Sequence, residues 1–262
     1  MTSTHSVASH PRISVNGLSS LFQSLADDIA MWRELGVDHV GLISPKLSAV
    51  GWDAARDLVT EAGFRVSNLS VEERVVDESL RFAASVGAGA VYITSGGAGS
   101  LSWDEAAAAF RARIASHVAL ADELGVRLAV EPTNPLRADL SFVFCMRDGF
   151  DLARTAGISA VLDLYSCWYE RDLETLVRTN LDVLALVQIC DFALGTYNTP
   201  NRSVIGDGNI PLERLFAMLL DAGYAGAFDL EILGPRIQEE GYASAITRSV
   251  ERASEILDRL GA

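Results

Sequence analysis

Four oxygen-bearing side chains end short apolar runs in the second half of the sequence. They close the runs in LAVEPTN, AVLDLYS, LVQICD and FDLEIL, and they are Glu131, Asp163, Gln188 and Glu231. Three carboxylates brought together repel one another, and some would take up protons unless a cation neutralised them. Since all the donors are oxygens, the set favours a hard ion, Mg²⁺ or Mn²⁺, over zinc. If the runs are adjacent strands, the sequence therefore predicts one divalent metal ion held by these four residues.

Each acidic residue taken alone also has an ordinary explanation. A carboxylate after an apolar run often caps the next helix or forms an ion pair. Asp191, three residues after Gln188, is a further carboxylate of this kind. Alternation along its run places Asp229 on the same side as Glu231 and one layer deeper. Asp229 therefore needs a polar partner, such as Arg12 or Ser14, or a bulge in its strand.

A repeated unit must position these side chains. Amphipathic stretches end at a glycine, and an apolar run of strand length follows, as in ELGVDHVGLI, ELGVRLAVEP and TAGISAVLDL. We predict eight strands, which begin near Ile13, Val40, Val66, Val91, Leu128, Val161, Leu186 and Phe228. Eight such units in about 250 residues predict a single-domain α/β fold, a (β/α)8 TIM barrel over residues 12–262, whose site lies at the carboxyl ends of the strands. The alternative is a doubly wound open sheet, which usually has a glycine-rich loop after its first strand, whereas SVNGLSS has one glycine.

Composition limits the partners. A net charge of −14 opposes binding to nucleic acid, which requires a basic surface. No apolar run is long enough for a membrane span, and the polar residues 1–11 predict a disordered tail rather than a secretion signal. Three cysteines without metal-binding spacing suit a reducing, cytoplasmic setting. The alanine-rich stretch DEAAAAFRARIASHVALA could be barrel packing or the face of a homo-oligomer.

Several segments together resemble a known superfamily. AVEPTNP, VLDLYSCWYERDL, VQICD, RSVIGDGNIPLERL and GAFDLEI are similar to the xylose isomerase-like TIM barrels of the sugar phosphate isomerase/epimerase family. The resemblance implies that the four residues above bind one divalent metal ion and that Glu131 and Glu231 serve as acid and base. It implies a sugar-like carbonyl substrate, an enediolate intermediate and a substrate-binding role for Arg202.

Two departures from the family pattern leave other functions open. Gln188 stands where the family usually has a histidine ligand, and Ser166 stands where it usually has a substrate-binding histidine. A metal-dependent dehydratase or lyase on the same scaffold is therefore an alternative, and so is a non-catalytic barrel that binds a ligand or serves as an accessory subunit. Endonuclease IV-type chemistry is not expected, because it needs a histidine-rich trinuclear site and a basic face.

Other polar or aromatic residues follow the predicted strands. We expect contacts with substrate from Arg202, Lys46, Asn16, Ser166, Trp168 and Asn68. Lys46 is equally explained as a surface lysine, and Trp168, with its neighbours Tyr165 and Tyr169, equally as packing for the next helix. The glycine-rich TSGGAGS could bind a phosphate or form a tight turn, and the turn is the simpler explanation.

Overall fold

Eight parallel strands form a closed barrel. The computed structural model describes residues 9–262, and its strands follow one another around the barrel in chain order, with the first paired to the last. The strands are β1 (Ile13–Asn16), β2 (His39–Ile43), β3 (Arg65–Ser70), β4 (Ala90–Thr94), β5 (Leu128–Glu131), β6 (Ser159–Asp163), β7 (Leu184–Ile189) and β8 (Phe228–Leu230). Each begins within two residues of its predicted start, and the predicted TIM barrel is confirmed.

Helices surround the barrel and connect its strands. The described residues form α1 (Leu25–Leu35), α2 (Ser44–Val50), α3 (Trp52–Ala62), α4 (Val76–Val86), α5 (Trp103–Leu124), α6 (Met146–Ala156), α7 (Leu164–Cys167), α8 (Leu173–Thr179), α9 (Leu212–Asp221), α10 (Pro235–Glu240) and α11 (Tyr242–Leu260). Three 3₁₀ turns cover Gly17–Ser20, Glu73–Val75 and Pro135–Arg137. The predicted glycine stops end helices in the left-handed conformation, as at Gly36, where φ is 74°.

The core has two layers of different character. Between the barrel and the helices, large side chains such as Trp32, Phe110 and Phe216 are fully buried. Inside the barrel, one half holds a small apolar cluster from β4 to β7, which comprises Tyr92, Ala129, Val161 and Leu186. The other half holds buried polar residues from β1, β3 and β8: Ser14, Asn16, Ser67, Asn68 and Asp229.

This polar layer accounts for Asp229. Its carboxylate accepts hydrogen bonds from Ser14 Oγ at 2.7 Å and from Asn16 Nδ2 at 2.7 Å, so the expected serine partner is present. Arg12 instead donates to the carbonyls of Tyr224 and Gly226. Burial raises the pKa of Asp229 to about 6, although its hydrogen bonds act in the opposite direction.

The polar layer also explains a glycine on β2. A Cβ at Gly41 would lie 2.8 Å from Asn68 Nδ2 and 2.9 Å from Asp229 Oδ1, which is closer than such atoms approach. Residue 41 therefore has no side chain because the polar layer occupies that space.

The predicted amino-terminal tail falls mostly outside the described residues. Of its last three residues, His10 is buried, and its backbone N–H donates to Ser254 Oγ on α11 at 2.9 Å. His10, which the sequence analysis places in the tail, therefore packs against α11. Between residues 9 and 262, no helix is both long and apolar enough to cross a membrane.

Candidate active site

The four predicted strand-end residues lie at one end of the barrel. Glu131 and Asp163 are the last residues of β5 and β6, Gln188 lies near the end of β7, and Glu231 follows β8 directly. Asp163 pairs in register with Gln188, and the backbone N–H of Glu231 donates to the Ile189 carbonyl at 2.9 Å. Asp163, Gln188 and Glu231 are buried, while Glu131 is partly exposed. The parallel strands thus bring these side chains to a common mouth, which is open on the Glu131 side.

Arg202 occupies the centre of this arrangement. It lies in the segment between β7 and α9, and its Nη2 is 3.0 Å from Asp163 Oδ2 and 2.9 Å from Glu231 Oε1. Its Nη1 donates to the Glu231 carbonyl at 2.9 Å, and the guanidinium carbon lies 4.6 Å from the centre of the Tyr165 ring. A single cation therefore joins the ends of β6 and β8.

Asp163 also serves as a helix cap. Its Oδ1 accepts a hydrogen bond from the Tyr165 backbone N–H at 2.9 Å, which begins α7. Its Oδ2 accepts from Ser166 Oγ at 3.2 Å, so Ser166 lies at the site. The capping explanation therefore holds for Asp163, and its second oxygen remains at the mouth beside Ser166.

Gln188 and Tyr92 engage the second oxygen of Glu231. Gln188 Nε2 donates to Glu231 Oε2 and, at 2.9 Å, to the Tyr92 hydroxyl. The Tyr92 hydroxyl lies 3.4 Å from Glu231 Oε2 and 3.4 Å from Asn16 Nδ2. Tyr92 therefore connects the mouth to the polar layer. Sequence analysis missed this residue, although an inward-facing tyrosine in the run AVYIT was a usable signal.

The carboxylates outnumber the cation. Burial raises the pKa of Glu131 well above its usual value, and the neighbouring Glu231 and Asp163 raise it further. Burial also raises the pKa of Glu231, while Arg202 opposes that shift. Three acidic side chains around one arginine leave an excess of negative charge, so protons bind there readily.

The donor set can be tested against the predicted metal ion. In favour of a metal, the donors are all hard oxygens, and Gln188 Oε1 is a buried acceptor with no hydrogen-bond partner within the described part of the chain. On the other side, Arg202 contacts two of the four donors, and no group of three or more His, Cys, Asp or Glu side chains in residues 9–262 is arranged to hold a metal. The donor chemistry fits a hard divalent ion, and Arg202 competes with that ion for Asp163 and Glu231.

Three further predicted substrate ligands are buried in the protein. Lys46 is buried on α2, where its ammonium contacts Asp28 and the carbonyls of Gly17 and Ser20. Asn16 and Asn68 are fully buried. Asn16 ends β1 beside Glu231, donates to the Asp229 carboxylate at 2.7 Å and lies 3.4 Å from the Tyr92 hydroxyl. The structure therefore places Asn16 next to the carboxylates, whereas Lys46 is paired with Asp28 away from them.

Two further segments have structural roles. Trp168 packs edge-on against Tyr169 and contacts the main core, in line with the packing explanation. In the glycine-rich TSGGAGS, the Gly96 N–H donates to the Leu140 carbonyl at 2.9 Å, which ties this turn to the loop after β5. Asp191 accepts backbone N–H groups from Phe192, Gly206, Gly208 and Ile210 and thereby shapes the loop after β7.

Comparison with known proteins identifies the family. The sequence profile of the xylose isomerase-like TIM barrel matches residues 29–253. The chain belongs to this family. The match covers β2 to β8 and therefore all four strand-end residues.

Solved structures of the family share the fold. Protein SMc04130 from Sinorhizobium meliloti 1021 superposes with a TM-score of 0.84 at 24% identity, over 94% of this chain and 98% of that one. The 3-keto-D-glucoside 4-epimerase YcjR from E. coli gives 0.71 at 16% identity, over 90% and 97%. The IolI protein with a bound zinc atom gives 0.77 at 14% identity, over 95% and 99%. No curated protein sequence gives a significant match.

Proposed function

We propose that the chain is an isomerase or epimerase of polyhydroxylated carbonyl compounds, with Glu131 and Glu231 as its acid and base. The observation that carries the proposal is the convergence of two buried or half-buried glutamates, both with raised pKa, around a buried arginine. A glutamate whose pKa is raised toward neutrality can both accept and return a proton. The fold that the chain shares with YcjR, an epimerase, supports this reading.

In the proposed reaction one glutamate removes the proton from the carbon next to the carbonyl. As that carbon–hydrogen bond breaks, its electron pair forms the enediolate, and negative charge develops on the carbonyl oxygen. Arg202 donates hydrogen bonds from a buried position and stabilises that charge. The second glutamate then delivers a proton to the opposite face or to the neighbouring carbon. Ser166 is placed to bind a substrate hydroxyl, because its own hydroxyl reaches Asp163 in this mouth.

We further propose that a hard divalent ion, Mn²⁺ or Mg²⁺, binds through Glu131, Asp163, Gln188 and Glu231. When bound, such an ion would polarise the substrate carbonyl. The oxygen-only donor set supports this, and so does Gln188 Oε1, which has no hydrogen-bond partner among residues 9–262. The zinc atom in the IolI structure, which has the same fold, also supports it.

Hydrogen exchange tests the proposed reaction. The purified protein is incubated with a panel of ketoses in D₂O, and recovered sugars are analysed by NMR and mass spectrometry. We expect deuterium next to the carbonyl in the substrate and its isomer, and a loss of about 10²–10⁴-fold in rate for Glu231→Gln and Glu131→Gln. Glu34→Gln, on the exposed face of α1, is the matched control and should keep the wild-type rate.

Other results would favour other functions. An unsaturated product would indicate elimination and hence the dehydratase or lyase alternative. If sugars bind without any exchange, the chain is a ligand-binding barrel. A Glu231→Gln variant with near-normal exchange would remove that residue from the mechanism.

A further inference from the structure

A cavity of about 370 Å³, lined by more apolar than polar side chains, lies over the carboxyl ends of the first four strands. This volume is within the range of small-molecule pockets, about 300–1,000 Å³. Most of its wall comes from side chains that end these strands or follow them in the adjoining loops. They include Leu18, Ile43, Pro45, Val71, Ile93 and Leu140.

The cavity adjoins the carboxylate mouth. Thr94 lines the cavity and pairs in register with Glu131 on the next strand. Ser70 also lines it and pairs with Tyr92, whose hydroxyl contacts Gln188 and Glu231. The cavity therefore borders the mouth at Thr94 and Ser70, next to the partly exposed Glu131.

The acidic groups of the cavity are already neutralised by arginines. Glu72 forms an ion pair with Arg74 at 2.7 Å, Glu73 forms one with Arg113, and Asp139 forms one with Arg137 at 2.8 Å. The surface left for a ligand is mostly aliphatic. A bare polyol would place its hydroxyls against that surface without hydrogen bonds, which is unfavourable.

Exposed apolar side chains concentrate on the same face. Most of the large hydrophobic residues that are exposed in the described chain lie in loops that follow strands. They are Leu21, Phe22, Leu101, Leu136, Leu140, Tyr169, Leu194 and Tyr197. Apolar surface gathered at one place typically marks a binding site. Leu21 and Leu140 of this set line the cavity itself, which favours a small ligand over a partner protein.

We propose that the substrate joins an oxygen-rich carbonyl head to a hydrophobic ring, with the head at the carboxylates and Arg202 and the ring in the apolar cavity. This inference rests on the proposed function, since it names the class of substrate for the same site. It differs from the simple sugars that the family resemblance implies.

Two matched probes test it, hydroxyacetone and 2-hydroxyacetophenone. They share the α-hydroxy ketone head, and the second has a phenyl ring in place of the methyl group. We expect calorimetry to give an affinity at least about tenfold higher for the phenyl probe, because burial of the ring removes more apolar surface from water.

Substitutions in the cavity wall test where the phenyl ring of the probe binds. Leu21→Ser combined with Leu140→Ser should lower the affinity for the phenyl probe to about that for hydroxyacetone. Leu58→Ser is the control, because Leu58 has the same 37% exposure as Leu21 but lies on α3 outside the cavity. Thermal melting of each variant confirms that it is folded.

The outcomes separate this inference from the proposed function. Equal affinities, or no binding of the phenyl probe, would overturn the ring assignment, while deuterium exchange in simple ketoses would still support the isomerase. If sedimentation instead shows that the double variant dissociates a dimer and leaves probe affinity unchanged, the apolar face is an interface between two copies and the inference is wrong.

Discussion

Two buried cations, Lys46 and Arg202, lie near the carboxyl end of the barrel, and they differ in the number of carboxylates around them. Lys46 contacts one carboxylate, Asp28, together with the carbonyls of Gly17 and Ser20 at 2.9 and 3.0 Å. Arg202 contacts two carboxylates, Asp163 and Glu231, and Glu131 lies near both. The lysine is part of a balanced pair, whereas the arginine lies within an acidic excess.

The difference separates a structural ion pair from a reactive one. All the polar contacts of the Lys46 ammonium are to protein groups that tie α2 to α1 and to the turn after β1, so it has little reason to bind a substrate. Burial lowers the pKa of Lys46 and raises the pKa of Asp28 to about 6, and their attraction opposes both shifts. Around Arg202, the unbalanced carboxylates can exchange protons or accept a further cation.

The largest effect is expected from breaking the balanced pair. Lys46→Met should lower the free energy of unfolding by about 3–5 kcal/mol, because Asp28 is left buried without its cation. Addition of Asp28→Asn should recover most of this loss, as measured by urea unfolding. If Lys46→Met keeps wild-type stability but abolishes deuterium exchange, Lys46 is a substrate ligand as the sequence suggested, and the comparison fails.

Removal of the other cation should give a smaller loss that depends on pH. In Arg202→Met the pKa values of Glu131 and Glu231 rise further in the folded protein, because the guanidinium no longer stabilises their charged forms. Each unit of rise lowers the free energy of unfolding at high pH by about 1.4 kcal/mol. The folded state then holds protons that the unfolded state releases, so stability falls as pH rises between the unfolded and folded pKa values.

The stability deficit of Arg202→Met should therefore shrink as the pH falls from 8 to 5. Thermal unfolding of the wild type and the variant in parallel at each pH measures this. Lys46→Met under the same conditions is the comparison. A deficit for Arg202→Met that does not change with pH would mean that Arg202 does not lower the pKa values of the carboxylates around it.

The sequence was sufficient for the barrel and for the carboxylates but not for the partners of the cations. Strand-length apolar runs and helix-ending glycines are local signals, and closure of the barrel then brings the strand ends together. The pairing of Lys46 with Asp28 depends on how α1 and α2 pack, which no local pattern encodes. The placement of Arg202 depends on a long loop after β7. The family resemblance implied that Arg202 binds substrate, but no sequence pattern indicated its ion pairs with Asp163 and Glu231.

Metal binding tests whether the carboxylates around Arg202 can accept a further cation. If a divalent ion and Arg202 compete for Asp163 and Glu231, Arg202→Gln should bind Mn²⁺ about tenfold more tightly than the wild type. Titration followed by the electron paramagnetic resonance of free Mn²⁺ measures this without turnover. Asp163→Asn should weaken binding in both backgrounds. Absence of Mn²⁺ binding in every variant would leave Arg202 as the sole counter-charge and remove the metal from the proposal.

The smallest effect is expected from loss of the hydrogen bond between the Tyr92 hydroxyl and Glu231. The Tyr92 hydroxyl lowers the pKa of Glu231, so Tyr92→Phe should raise it, in the same direction as loss of Arg202 but by less. If Glu231 acts as the base, the acid limb of the exchange rate moves to higher pH, and the free energy of unfolding falls by about 0.5–1.5 kcal/mol.

Tyr224→Phe is the control, because its buried hydroxyl bonds to backbone groups of Val187 and Ala227. It should cost similar stability without a shift in the pH profile. Equal shifts from both tyrosine variants would mean that general loosening of the barrel, rather than the hydrogen bond to Glu231, sets the acid limb.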